Sequence, residues 1–145
     1  MTSQVEVVLR LLAAMAGGML LGLNRDLHGK PTGVRTLGLV SLASTMAVLT
    51  IADQDVNATS RVIQGLLTGI GFIGAGVIVH HQMNGHAHGL TTAACVWLTA
   101  CIGAACGAAQ WRILLVGVPL VFAVLHLGGP LEKLLRWERD ETKDK

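Results

Sequence analysis

Five long apolar runs separated by short polar segments constrain this chain more than anything else in it. The runs are Val5 to Leu23, Val34 to Ala52, Val62 to Val79, Leu90 to Ala109 and Ile113 to Leu127. Each comes close to the roughly 20 apolar residues that an α-helix needs to cross a bilayer. In lipid the backbone must satisfy its hydrogen bonds within the segment, and the runs show no alternation of period two, so they are helices and not strands. The composition agrees. The chain is 52% hydrophobic and 14% charged, against roughly a quarter charged in soluble domains. The predicted fold is all-α: a polytopic membrane protein, a bundle of about five transmembrane helices. Residues 1–129 form the transmembrane domain and 130–145 a short charged cytoplasmic tail, LEKLLRWERDETKDK after Pro130.

Lysine and arginine orient the bundle. Arg25, Lys30 and Arg35 at the first loop join Lys133, Arg136, Arg139, Lys143 and Lys145 in the tail, which puts eight cations on one side. Arg61, Arg112 and Arg10 give at most three on the other. The expectation is an N-terminus outside, a C-terminus in the cytoplasm, and an outward loop carrying Asp53 and Asp55. The opening MTSQVEVVLR lacks the basic start and cleavage site of a signal peptide, so the first run is expected to stay in the membrane.

Small residues set the packing. Gly18 and Gly22, Gly65 and Gly69, and Gly103 and Gly107 are pairs four apart, which lie on one helix face and let backbones approach. Leu at Gly18, Gly69 or Gly103 is expected to disrupt the bundle or an oligomer. Gly69, Gly71 and Gly74 spell a dinucleotide-like G-x-G-x-x-G, but inside an apolar span and with no acid about 20 residues on. Close packing or a local bend accounts for it better. No Ser/His/Asp set, HExxH or phosphate loop is present, so no enzyme and no cofactor are expected. A net charge of +2 gives no reason to invoke nucleic acid.

The polar residues of the spans are few. Glu6 and Arg10, four apart, are expected to pair. The second to fifth runs contain no Asp or Glu, whereas a Mg²⁺ path or a proton-carrying rotor calls for carboxylates. Ser41, Ser44, Thr45, Thr68, Thr99 and the cysteines Cys95, Cys101 and Cys106 read as packing and helix-bonding groups. His80, His81, His86 and His88 flank one loop without Lys or Arg. They are weak metal candidates, no acid or Cys joining them, and their sharper reading is a charge that depends on pH.

Three stretches carry a resemblance: GGMLLGLNRDLHGKPTGVRTLGLVSLAS (Gly17 to Ser44), GLLTGIGFIGAGVIV (Gly65 to Val79) and GLTTAACVWLTACIGAACG (Gly89 to Gly107). Together, in order and at the right spacing, they resemble the MgtC/SapB family of bacterial membrane proteins. The resemblance implies a five-helix inner-membrane domain, a link to magnesium limitation and, in some members, virulence. It implies a regulator that binds a membrane partner such as the ATP synthase, while many members carry a transporter label. A small Mg²⁺ or proton transporter or channel is therefore the alternative function. A homo-oligomer is compatible with either.

The resemblance also carries residues over. Arg25, Arg35 and Thr36, with Asp26 beside them, become candidates for binding lipid or a protein partner, or for capping helix ends. Gly22, Gly71, Gly74, Thr91, Thr92 and Trp97 become the structural motif. Thr91 and Thr92 are expected to cap the fourth helix, and the Trp97 N–H to find a partner in the bundle. Asn24 stands where the family has an acid, so Arg25 is expected to depend on Asp26 or an external anion. His88 stands where an Arg is usual. Longer members add a soluble C-terminal domain, and this chain stops after a short tail.

Overall fold

A computed structural model describes residues 3–51, 56–80 and 89–141, the side chains of 56, 79, 80 and 131–141 excepted. The described residues form five helices and no strand: α1 (Gln4–Leu27), α2 (Val34–Leu49), α3 (Val56–His80), α4 (Leu90–Gly107) and α5 (Trp111–Glu141). Four are long and apolar enough to cross a bilayer. The protein is an all-α polytopic membrane bundle. The second run yields only 16 residues of helix, about 24 Å at 1.5 Å per residue, so α2 is shorter than the span its sequence suggests.

Side-chain chemistry sets the ends. Ser3 caps α1 by accepting the Glu6 N–H at 3.2 Å, the first half of an S-x-x-E capping box. α1 stops at His28, ahead of Gly29 in the left-handed region. α4 begins at Gly89 with φ +95° and no side-chain cap. Thr91 and Thr92 lie inside the first turn of α4 and do not cap it, which corrects the sequence expectation. α5 runs through Pro119 and Pro130. From Leu115 onward it forms a compact unit by itself.

In residues 1–114, α1, α2 and α4 each pack on the other two, and α3 packs mainly on α4. The helices alternate in direction. The start of α2 and the start of α4 both meet the end of α1, and the end of α4 meets the start of α1. Glycine makes the close contacts. A Cβ on Gly18 would stand 2.6 Å from the Leu37 carbonyl oxygen and 2.7 Å from Ser41 Cβ. One on Gly22 would stand 2.6 Å from Val34 Cα. Where α4 meets α2, a Cβ on Gly103 would collide with the Ser41 carbonyl oxygen, and one on Gly107 would stand 2.7 Å from Val48 Cβ. Real Cβ contacts are never this short, so the backbones touch only because these residues are glycine. The core between them is small: Ala14, Leu21, Leu37, Val48, Val96 and Ala100 are fully or almost fully buried.

Buried hydroxyls bond along and across the helices. Thr45 Oγ1 donates within reach of both the Ser41 carbonyl (3.0 Å) and the Gly103 carbonyl (2.8 Å), joining α2 to α4. Ser44 and Thr99 bond back to Val40 and Cys95 at 2.7 Å.

The third glycine pair behaves differently. Within 4 Å of a Cβ on Gly65, Gly69, Gly71 or Gly76 there is nothing, and Gly74 meets Ala93 Cβ at an ordinary 3.5 Å. The expected packing role of Gly65 and Gly69 is therefore absent from this chain's own described contacts. Gly103→Leu should cost at least about 2 kcal/mol by overpacking and lower the melting temperature in detergent, with Gly18→Leu acting likewise. Gly69→Leu should leave the melting temperature within error of the parent. A Gly69→Leu loss as large as that of Gly103→Leu would contradict this packing.

Candidate functional site at the loop end of the bundle

The sequence-derived site residues gather where α1 ends and α2 and α4 begin, but they do different work. Arg25 sits in the last turn of α1 and is 4% exposed. Its Nε and one terminal nitrogen donate to the Pro31 carbonyl, both at 3.2 Å. The same nitrogen donates to Thr92 Oγ1. The other terminal nitrogen reaches Cys95 Sγ at 3.6 Å. The planar fork thus ties α1, the first loop and α4 together, a geometry that arginine provides and lysine does not. Its position near the carbonyl end of α1 also favours a cation.

Arg25 therefore does not pair with Asp26: its four hydrogen bonds among the described residues go to Pro31, Thr92 and Cys95. Asp26 is occupied elsewhere. Its Oδ2 accepts the Val34 N–H at 2.9 Å, so a carboxylate from α1 caps α2, whose N-cap residue is Gly33. Gly33 is required there, since a Cβ would overlap the Asp26 carboxylate. The intervening loop bends through Gly29 and Thr32, with φ of +60° and +63°. For Thr32 that region costs about 1–2 kcal/mol.

Arg35 and Thr36 open α2 and are exposed. Neither side chain makes a hydrogen bond or ion pair with a described residue. Arg35 edges an otherwise apolar groove of about 390 Å³ between α1 and α2, whose lining includes Met15, Met19, Gly38 and Leu42. Trp97 is 43% exposed, and its N–H has no partner among the described residues. The expected bond within the bundle is not among those of the described residues. Among the described residues no three of His, Cys, Asp and Glu come together. The proposal for His80, His81, His86 and His88 falls on side chains outside the described residues.

At the other end of α1 the expected Glu6–Arg10 pair forms. Sequence reasoning missed what Arg10 does besides. It is 8% exposed and donates to the Gly107 carbonyl at 2.7 Å, on the carbonyl end of α4. It also missed Pro31 and Cys95. The available signal was the i,i+3 spacing of Thr92 and Cys95, which places both on one face of α4.

The model of the MgtC family matches residues 11–134. The chain belongs to the MgtC family. Protein SrpB of Synechococcus elongatus is 36% identical over 89% of this chain and 84% of its own. Protein MgtC of Salmonella typhimurium is 38% identical over 72% of this chain. The putative magnesium transporter YhiD of Escherichia coli is 36% identical over 84% of it. The chain spans under half the length of MgtC (45%) and 60% of YhiD. No solved structure matches. The MgtC-family motif therefore contains at least one buried clamp, Arg25 with Thr92, alongside surface positions.

Arg25→Lys and Thr92→Val should each destabilise the bundle by about 1–3 kcal/mol, because each leaves a buried polar group without its partner. The two effects should be strongly non-additive in a double-mutant cycle read by thermal unfolding in detergent. Asp26→Asn keeps an acceptor for the Val34 N–H and should be nearly silent, whereas Asp26→Ala should cost about 1 kcal/mol as a lost cap. Additive Arg25 and Thr92 effects would refute the clamp.

Proposed function

We propose that this chain is a non-enzymatic membrane regulator in magnesium homeostasis, acting by binding another membrane protein. The ATP synthase is the partner that family resemblance favours. The observation that carries the reading is the state of the carboxylates. Helices α1 to α4 contain two, Glu6 and Asp26. Glu6 pairs with Arg10 and Asp26 caps α2, both near helix ends. A Mg²⁺ path draws on carboxylates with retained waters, and the buried hydroxyls Ser44, Thr45 and Thr99 are bonded to backbone carbonyls. The bundle interior is built to hold helices together.

The second reading, a small Mg²⁺ or proton transporter or channel, has one specific support: the printed name of the similar YhiD protein. In this proposal the chain sits in the bacterial inner membrane, N-terminus outside and C-terminus cytoplasmic, and serves adaptation to low magnesium.

Four measurements test these statements. Liposomes containing the purified chain should take up Mg²⁺ and protons no faster than empty ones. Inverted membrane vesicles given the chain should show reduced ATP-driven proton pumping, and the ATP synthase should co-purify with it. Saturable Mg²⁺ uptake by the chain alone would replace the regulator with the transporter. For orientation, reporter fusions should place the Asp53–Arg61 loop outside and Lys145 in the cytoplasm, and a cytoplasmic Asp53 loop would reverse the assignment.

A further inference from the structure

Arg35 and the groove beside it carry an inference that does not depend on the regulator reading. The groove's floor exists because Gly38 has no side chain: a Cβ there would press on Met19 Cγ at 3.0 Å. Its walls are Met15 and Met19 of α1 and Leu39 and Leu42 of α2. From Arg35 to Leu42 it follows α2 away from the loop end for about 10 Å, taking 1.5 Å per residue. In a bilayer-spanning bundle that path leads from the headgroup level into the hydrocarbon. At about 390 Å³ it is large enough for a ligand segment.

Its only charged lining group is the Arg35 guanidinium, which has no partner among the described residues. The nearby acid Asp26 turns its Oδ2 to the Val34 N–H and forms no ion pair with Arg35. The combination is an apolar channel ending in a cation without an ion-pair partner among the described residues. Arg35 also lies in the first turn of α2, where the helix field adds to the attraction for an anion.

We infer that this groove binds one anionic phospholipid, its phosphate on Arg35 and an acyl chain along Met15, Met19 and Leu42. A guanidinium engages phosphate oxygens through two parallel hydrogen bonds. A net negative headgroup is favoured over a zwitterionic one because the groove's lining carries the Arg35 cation and no acid. Arg25, bonded to Pro31, Thr92 and Cys95, is not among the groove's lining residues.

The test is native mass spectrometry of the purified full chain with equimolar phosphatidylglycerol and phosphatidylcholine of identical acyl chains. The parent should retain phosphatidylglycerol about tenfold over phosphatidylcholine, and Arg35→Gln should abolish that preference, the size expected for one charge-assisted hydrogen bond. Arg35→Lys should keep part of it, and Arg61→Gln, a cation on α3, all of it. Met15→Trp, which fills the groove, should reduce phosphatidylglycerol retention with Arg35 intact. Melting temperatures close to the parent's certify each variant as folded.

Equal retention of the two lipids by the parent would overturn the inference, as would a preference that survives Arg35→Gln. Displacement of the lipid by equimolar glycerol 3-phosphate would reveal a free-anion site and defeat the acyl component. Retention unchanged by Met15→Trp would defeat it too. A protein dimer lost on Arg35→Gln, with lipid preference unaltered, would give the groove to a second copy.

Discussion

Helices in a bilayer gain little by hiding apolar side chains from one another, because the surrounding lipid is equally apolar. What remains is close contact, and in this protein the contact is made by backbone. Gly18 and Gly22 bring α1 against α2, and Gly103 and Gly107 bring α4 against it. The approach brings the Gly103 carbonyl within 2.8 Å of Thr45 Oγ1. A longer side chain at any of these glycines would lift the helices apart and take that bond with it. The same closeness explains how α2 works at 16 residues: it is flanked on two sides by longer helices, α1 with 24 residues and α4 with 18.

Contact along the middle does not fix how α1 and α4 slide past each other. The two buried arginines do. Arg25 holds the end of α1 to Thr92 and Cys95 near the start of α4, and Arg10 holds the start of α1 to Gly107 at the end of α4. They are separated by about 22 Å along α1, at 1.5 Å per residue. Charged groups inside a membrane domain are costly unless paired or placed near the interface. Both arginines stand near helix ends. Each also faces carbonyl groups, Pro31 for one and Gly107 for the other, with Glu6 adding a formal charge partner at Arg10.

The helix count, most helix boundaries and two of the three glycine pairs were legible in the sequence, because length, hydropathy and four-residue spacing are local signals. The exceptions are the start of α3, at Val56 and not Val62, and the end of α5, which continues through Pro130 to Glu141 where hydropathy ends at Leu127. The Glu6–Arg10 pair was legible for the same reason. The partners of Arg25 were not. Thr92 and Cys95 are 67 and 70 residues away, and nothing local says which helix face turns towards the loop. Asp26 looked like a partner for its neighbour Arg25. The turn through Gly29, Thr32 and Gly33 instead delivers the start of α2 to its carboxylate, so an adjacent pair in sequence becomes two separate fastenings. Nor does spacing distinguish Gly69 from Gly103. Both belong to the same motif, and only the fold shows one meeting a backbone and the other meeting nothing within 4 Å.

Arg25 and Arg35 show why a residue carried over from a family motif needs its surroundings before it is given a role. Both flank the same short loop and both fit the positive-inside pattern. Arg25 points into the junction of α1 and α4, where loss of the fork leaves buried acceptors unpaired. Arg35 comes ten residues later, at the start of α2, where Gly22 already holds α1 against Val34. Its guanidinium is left outside, at the edge of the groove that Gly38 opens. A change at Arg25 is therefore felt first as lost stability, with any functional loss following from it. A change at Arg35 leaves the helix contacts intact and reports on whatever the protein meets in the membrane.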